Sequence, residues 1–183
     1  MLTKKMEEAL NSQIQKEMYS AYLYMAMSAD CSDKGLAGFA TWLMVQYHEE
    51  MFHAMKIYEF IDDRNGRPIV PAIQQPPKEW NTALTLFEEV LAHEETVTAS
   101  INDLMATARS ENDNASQTFI EWYVTEQIEE EKNADDIIKK IKLAGEKGPG
   151  LYMLDKEVGA RTLTAPADFS LGGLNSGAVA TGA

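Results

Sequence analysis

A carboxylate and an imidazole stand three residues apart on the apolar side of a long helical segment, and few folds accommodate that. The segment's inner seam is Phe39, Leu43, Gln46, Glu50, His53, Ile57 and Phe60. Its spacings alternate between four and three, the period of a buried helix face. Glu50 and His53 therefore point the same way, into hydrocarbon. A carboxylate there is very costly unless it is paired or binds a metal. The chain must supply partners at the same depth.

Three other segments supply them. The first, 4–32, has the seam Leu10, Ile14, Glu17, Ala21, Tyr24 and Ser28. The segment holding Glu50 runs over 36–64. A third helix is expected over 81–110, with Thr82 as a cap and the seam Leu84, Phe87, Leu91, Glu94, Thr98, Ile101, Met105 and Ala108. A fourth, 115–144, reads Ile120, Tyr123, Gln127, Glu130, Ala134, Ile137 and Ile141. Gly35, Asn65-Gly66, the polar run 111–114 and the glycines from Gly145 onward separate these segments. Each seam carries an acid near mid-helix.

The connection over 66–81 contains Pro68, Pro71, Pro76 and Pro77 and has no helical pattern. Extended, it spans roughly 50 Å. A helix of about 28 residues is roughly 42 Å long. The connection can run the length of a bundle, so the expected fold is all-α: a four-helix bundle with one long crossover and a short fifth helix over 151–161. Residues 1–161 are the expected domain and 162–183, rich in Ala, Gly, Ser and Thr, a weakly ordered tail.

The net charge of −13 argues against nucleic acid or an anionic membrane as partners. The single cysteine, Cys31, excludes an intrachain disulfide framework or a Cys-ligated cluster, and is expected to be a buried thiol. There is no signal peptide and no apolar run of about 18 residues, so a cytoplasmic location is expected.

In an up-down bundle with one crossover the four seam acids meet at mid-height. Four carboxylates and one imidazole can hold two closely spaced metal ions, and this oxygen-rich donor set suits iron or manganese without excluding zinc. Without metal, repulsion between the acids raises some of their pKa values.

These residues resemble the ferritins, specifically the non-haem bacterial type. The stretches 49–53 (Glu-Glu-Met-Phe-His), His93-Glu94 and 122–132, from Trp122 to Lys132, carry the resemblance, which covers about residues 1–161. It implies a hollow shell of 24 subunits, ferroxidase activity on Fe(II) with dioxygen or hydrogen peroxide, and storage of ferric mineral. By resemblance Glu17, Glu50 and His53 would hold one iron and Glu94 and Glu130 the second, with Glu50 bridging. Gln127 matches a neighbouring hydrogen-bonding position. Tyr24 matches a tyrosine thought to give an electron. The fifth helix, with its stripe Leu151, Leu154 and Val158, is too short to be stable alone. It is expected to pack among neighbouring subunits around a shell axis.

A third iron site is expected beside the pair. Glu126 and Glu129 share a face next to the seam of Glu130, and Glu49 is rotated about 100° from Glu50. With Glu130 these make four acids and no nitrogen, a hard all-oxygen site. Bacterial and archaeal ferritins use acids at these positions.

Two features separate the chain from relatives. Bacterioferritins carry Glu-x-x-His on both the second and fourth helices, whereas the fourth helix here offers Gln127 and Glu130. Met51 has the offset of their haem-ligating methionine, but a packing role is expected and no haem. The alternatives are a haem-containing bacterioferritin-like shell, a di-iron peroxidase like rubrerythrin, a miniature ferritin that protects DNA, and a metal-free bundle. One cysteine and one Glu-x-x-His disfavour the peroxidase, and acids inside the bundle disfavour the miniature ferritin. The metal-free bundle leaves those acids unexplained. His48 and His93 are weaker metal candidates. Trp42, Trp80 and Trp122 are expected to pack, and the acidic pairs Asp62-Asp63 and Asp135-Asp136 to be solvated.

Overall fold

The structure, a computed structural model, describes residues 2–163. The expected tail, 162–183, lies outside the described residues from 164 onward. Five helices follow in order: α1 (Lys4–Asp33), α2 (Ala37–Asp63), α3 (Ala83–Ser110), α4 (Asn114–Ala144) and α5 (Pro149–Val158). Among the described residues there is no strand, and no helix is long and apolar enough to cross a membrane.

Local chemistry sets the boundaries. Thr3 caps α1 by accepting from the Met6 amide, and Thr82 caps α3 in a reciprocal box with Thr85. Asp113 caps α4 through the Ser116 amide. After α1 the chain reverses at Gly35, whose φ of 76° is left-handed. There the Leu36 amide reaches back to the Cys31 carbonyl at 2.9 Å.

Short turns join α1 to α2 and α3 to α4, so each pair packs as an antiparallel hairpin. The two hairpins close into a bundle through α1 against α3, and α5 caps one end against α2 and α4. The crossover can be followed by its hydrogen bonds along α1. Asn11 donates to the Arg67 carbonyl at 3.1 Å and accepts from the Ile69 amide at 2.7 Å. Gln15 donates to the Ala72 carbonyl at 2.8 Å, and Lys34 reaches the Trp80 carbonyl near the far end. The connection therefore runs the bundle's length, as its reach requires.

The core is two hydrophobic clusters rather than one. One gathers Tyr24, Phe39, Leu43, Phe87 and Ile141; the other gathers Ile14, Ile57, Ile101 and Tyr123. Cys31 is buried in the first, and burial pushes its thiol up to about 12. The seams on α1 and α4 are buried throughout. On α2 the last core position belongs to Ile61, with Phe60 half-buried and stacked on Phe119. On α3, Leu84, Leu91 and Thr98 are half-buried, and Val90, Val97 and Leu104 complete the core.

The fifth helix departs from expectation. Leu151, Leu154 and Val158 are buried within the chain, on the cluster around Phe39 and Ile141. The stripe closes its own bundle, because its hydrocarbon finds the open end of α2 and α4 first. Tyr152 and Met153 form the exposed side instead. The helix also supplies what α2 lacks. Leu36 gives α2 no side-chain cap, and Asp155 Oδ1 accepts from the Gly38 and Phe39 amides, both at 2.9 Å. The approach is close enough that a Cβ on Gly38 would lie 1.6 Å from the Asp155 carbonyl oxygen. Asp155→Ala should therefore lower stability by about 1–2 kcal/mol, the usual size of a lost N-cap, read as a depressed melting temperature with helix content retained.

Candidate metal centre

The two clusters are separated by a layer of acids. On α1, Glu17 lies between Ile14 of one cluster and Leu23 of the other; on α2, Glu50 lies between Ile57 and Leu43. Glu94 sits between Val97 and Val90, and Glu130 between Tyr123 and Ala134. All four are buried, with exposures of 1% for Glu17, 2% for Glu50, 1% for Glu94 and 6% for Glu130. A solvated helix face is thereby excluded as their role.

Neutral donors hold most of these carboxylates. Gln13, itself buried, donates to Glu17 Oε1 at 2.8 Å and accepts from Ser100 at 3.0 Å. Gln46 donates to Glu130 Oε2 at 2.8 Å. Tyr24 Oη donates to Glu94 Oε1, and Gln127 Nε2 donates to Glu94 Oε2 at 3.1 Å. Gln127 also reaches the Glu94 carbonyl and Thr98 Oγ1, both at 3.2 Å. Tyr123 Oη donates to the His53 carbonyl at 2.8 Å.

Glu50 is the exception. Its Oε2 is buried without a hydrogen-bond partner, although His53 Nδ1 lies 3.5 Å away. Glu17, Glu50 and His53 each offer one ligand atom, and these three lie within 4.8 Å of one another. Orphaned buried oxygen beside a second carboxylate and an imidazole is a donor set that fits a divalent cation. Glu94 and Glu130 lie outside this set of three, and their oxygens are held by Tyr24, Gln127 and Gln46.

The acids raise one another's proton affinity. Burial, then Glu94, Glu17 and Glu130, push Glu50 well above the carboxylate range. Burial raises Glu94 against the opposing bonds from Tyr24 and Gln127. Burial and the neighbouring Glu94 push Glu130 up to about 7. Burial, then Glu94, hold the Tyr24 phenol protonated, well above its ordinary value.

Beside the centre, Glu49, Glu126, Glu129 and Glu130 line a cavity of about 70 Å³. Glu49 and Glu126 are half-buried and Glu129 is exposed. His53 and Arg161 line the cavity beside these acids. Arg161 Nη2 donates to Glu49 Oε2 at 2.5 Å, and Nη1 donates to Gln46 Oε1. The arginine arrives because α5 folds back onto α2, a tertiary step that helical periodicity does not encode. Gln46 interrupts the α2 seam one turn before Glu50, and that was a legible signal of its place in the site.

The other candidates sit apart. His48 is exposed. His93 packs on Tyr24 with Nε2 2.8 Å from Ser20 Oγ, and burial lowers it to about 4. Trp42 and Trp80 are core residues, and Trp122 stands edge-on to His53. The acidic pair on α4 is solvated, with Asp135 paired to Lys139 and Asp136 to Lys132.

A bundle whose facing helices each carry an inward acid, with Glu-x-x-His on one of them, has the architecture of the carboxylate-rich metal bundles. Known proteins agree. A family model for the ferritin-like domain matches residues 7–144. A bacterial non-heme ferritin of Escherichia coli is 39% identical over 158 residues, covering 86% of this chain and 96% of the relative. One from Staphylococcus saprophyticus is 38% identical over 162 residues, covering 88% and 97%. The open-pore ferritin of the hyperthermophilic archaeon Archaeoglobus fulgidus superposes with a TM-score of 0.87 at 46% identity, covering 88% of this chain and all of that one. The chain belongs to the ferritin family.

The acid layer has a measurable signature in the chelated protein. A carboxyl whose folded pKa exceeds its unfolded value of about 4.5 stabilises the fold fully below that pH. The stabilisation is lost as pH rises through the folded value, about 7 for Glu130. Thermal stability of the chelated protein should therefore fall as pH rises from about 5 to about 8. Glu130→Gln should make the profile shallower, with Glu50 and Glu94 keeping part of the slope. A melting temperature that rises over this range would contradict the assignment.

Proposed function

We propose that the protein is a ferroxidase and iron store. Fe(II) is its substrate, dioxygen or hydrogen peroxide its oxidant, and its working form a shell of 24 copies. The observation that carries the reading is the orphaned Glu50 Oε2, buried between Glu17 and His53. Family membership and the donor chemistry support iron as the metal.

In this reading Glu17, Glu50 and His53 bind one Fe(II), and Glu94 and Glu130 bind the second with Glu50 bridging. Two Fe(II) ions lose one electron each, and dioxygen takes up two electrons and two protons to leave as hydrogen peroxide. Cation binding expels the protons that burial holds on Glu50 and Glu130. Gln13, Gln46 and Gln127 orient the acids they bond. In this reading Tyr24, which donates to Glu94, supplies a further electron to the oxidant beyond the two from the iron pair. The third site is formed by Glu49, Glu126, Glu129 and Glu130. It supplies or withdraws iron, or an electron, during turnover.

Aerobic addition of Fe(II), followed by sedimentation and native mass, tests the whole reading. A 24-subunit particle that gains iron is expected, and a bundle that stays small and iron-free would overturn it. Glu50→Ala should slow Fe(II) oxidation by at least about a hundredfold while the shell assembles, since even residues that orient ligands cost up to that much. The combined Glu49→Ala, Glu126→Ala and Glu129→Ala variant, soaked with Fe(II) or Zn(II), should still fill the central pair. It should lose the third crystallographic peak and change the iron oxidised per dioxygen.

A further inference from the structure

The guanidinium of Arg161 ties two of the acids' neighbours together at the mouth of the small acid-lined cavity. One nitrogen donates to Glu49 Oε2 and the other to Gln46 Oε1, while Gln46 holds Glu130 through its own amide at 2.8 Å. A single cation thus bears on Glu49 directly and on Glu130 through one relay. The guanidinium also lies over the Trp42 ring, 4.7 Å from its centroid.

Two hollows meet at this side chain. The inner one, about 70 Å³, holds Glu49, Glu126, Glu129 and Glu130. The outer one, about 230 Å³, holds Trp42, Asn133, Asp136 and Glu157. Arg161 lines both and is the partition between them. Its backbone is anchored, with the Arg161 amide on the Val158 carbonyl at 3.2 Å, and its head is 21% exposed. A long side chain with a fixed root and a partly solvated head can turn from Glu49 into the outer hollow, where Asp136 and Glu157 stand, without moving α5.

We propose that Arg161 is a tethered cation that holds the third metal position, so that a divalent ion binds among Glu49, Glu126 and Glu129 only by displacing the guanidinium from Glu49. The inference rests on the third-site reading above. The guanidinium occupies Glu49 Oε2, and a second positive group on the same carboxylate is repelled at close range. Competition therefore weakens the third site relative to the central pair. An ion held there leaves readily, because the arginine reclaims Glu49. The third site becomes a place of transfer rather than a trap.

Zn(II) serves as the probe, with binding followed by calorimetry and by anomalous diffraction at graded Zn(II) concentrations. Arg161→Gln and Arg161→Ala remove the charge, and Arg161→Lys keeps it. In both neutral variants the third site should bind Zn(II) about tenfold tighter or more, the scale of one lost charge-assisted hydrogen bond. The central site should be unchanged, and the Lys variant should stay near the parent. Native mass and melting temperature check that each variant assembles. A third peak whose occupancy is the same in the parent and the neutral variants, or weaker in the latter, would overturn the proposal and leave the third site standing. Absence of Zn(II) at Glu49, Glu126 and Glu129 in every form would overturn the site itself and the proposal with it.

Discussion

Four carboxylates buried at one level of a hydrocarbon bundle are the constraint to which the rest answers. Taking one charge out of water costs several kcal/mol even after relaxation, and here four carboxyl groups are buried together. The bundle meets the cost by dividing its core. Each helix is apolar above and below its acid, so the waist is polar and the two ends are dry. Protons held on Glu50 and Glu130 reduce the repulsion that remains. The same layer that weakens the core is the feature that makes it chemically useful.

Within the layer the acids are unequal. Glu17 leans on Gln13, Glu130 on Gln46, and Glu94 on Tyr24 and Gln127. These donors are uncharged, so they fix orientation without neutralising the negative field. Glu50 has an oxygen with no such donor. The acid with the orphaned oxygen is therefore the one grouped with Glu17 and His53, and the hydrogen bonds set it apart from the other three.

The helices and their order were legible in the sequence because a seam of spacing three and four is a direct imprint of burial. Glu17, Glu50, Glu94 and Glu130 were legible for the same reason, each a polar break in a regular apolar row. The long crossover followed from its prolines and its reach. Other parts were not legible. Arg161 is the last residue of the expected fifth segment, off its apolar stripe, and only the docking of α5 brings it to Glu49. Asp155 looks like a surface acid until the bare N-terminus of α2 meets it. The stripe of α5 names an apolar face without naming what it covers. Such facts depend on how elements meet, which local spacing does not record.

The fifth helix is fastened to α2 at two places. Asp155 grips the first amides of α2, and Arg161 reaches Glu49 about three turns further along it. One turn before the first fastening the outward side is Tyr152 and Met153. Mechanically this is a lever with a short arm. Any displacement of this ten-residue helix therefore bears on the start of α2 and on Glu49 together, because both contacts hang from the same short segment.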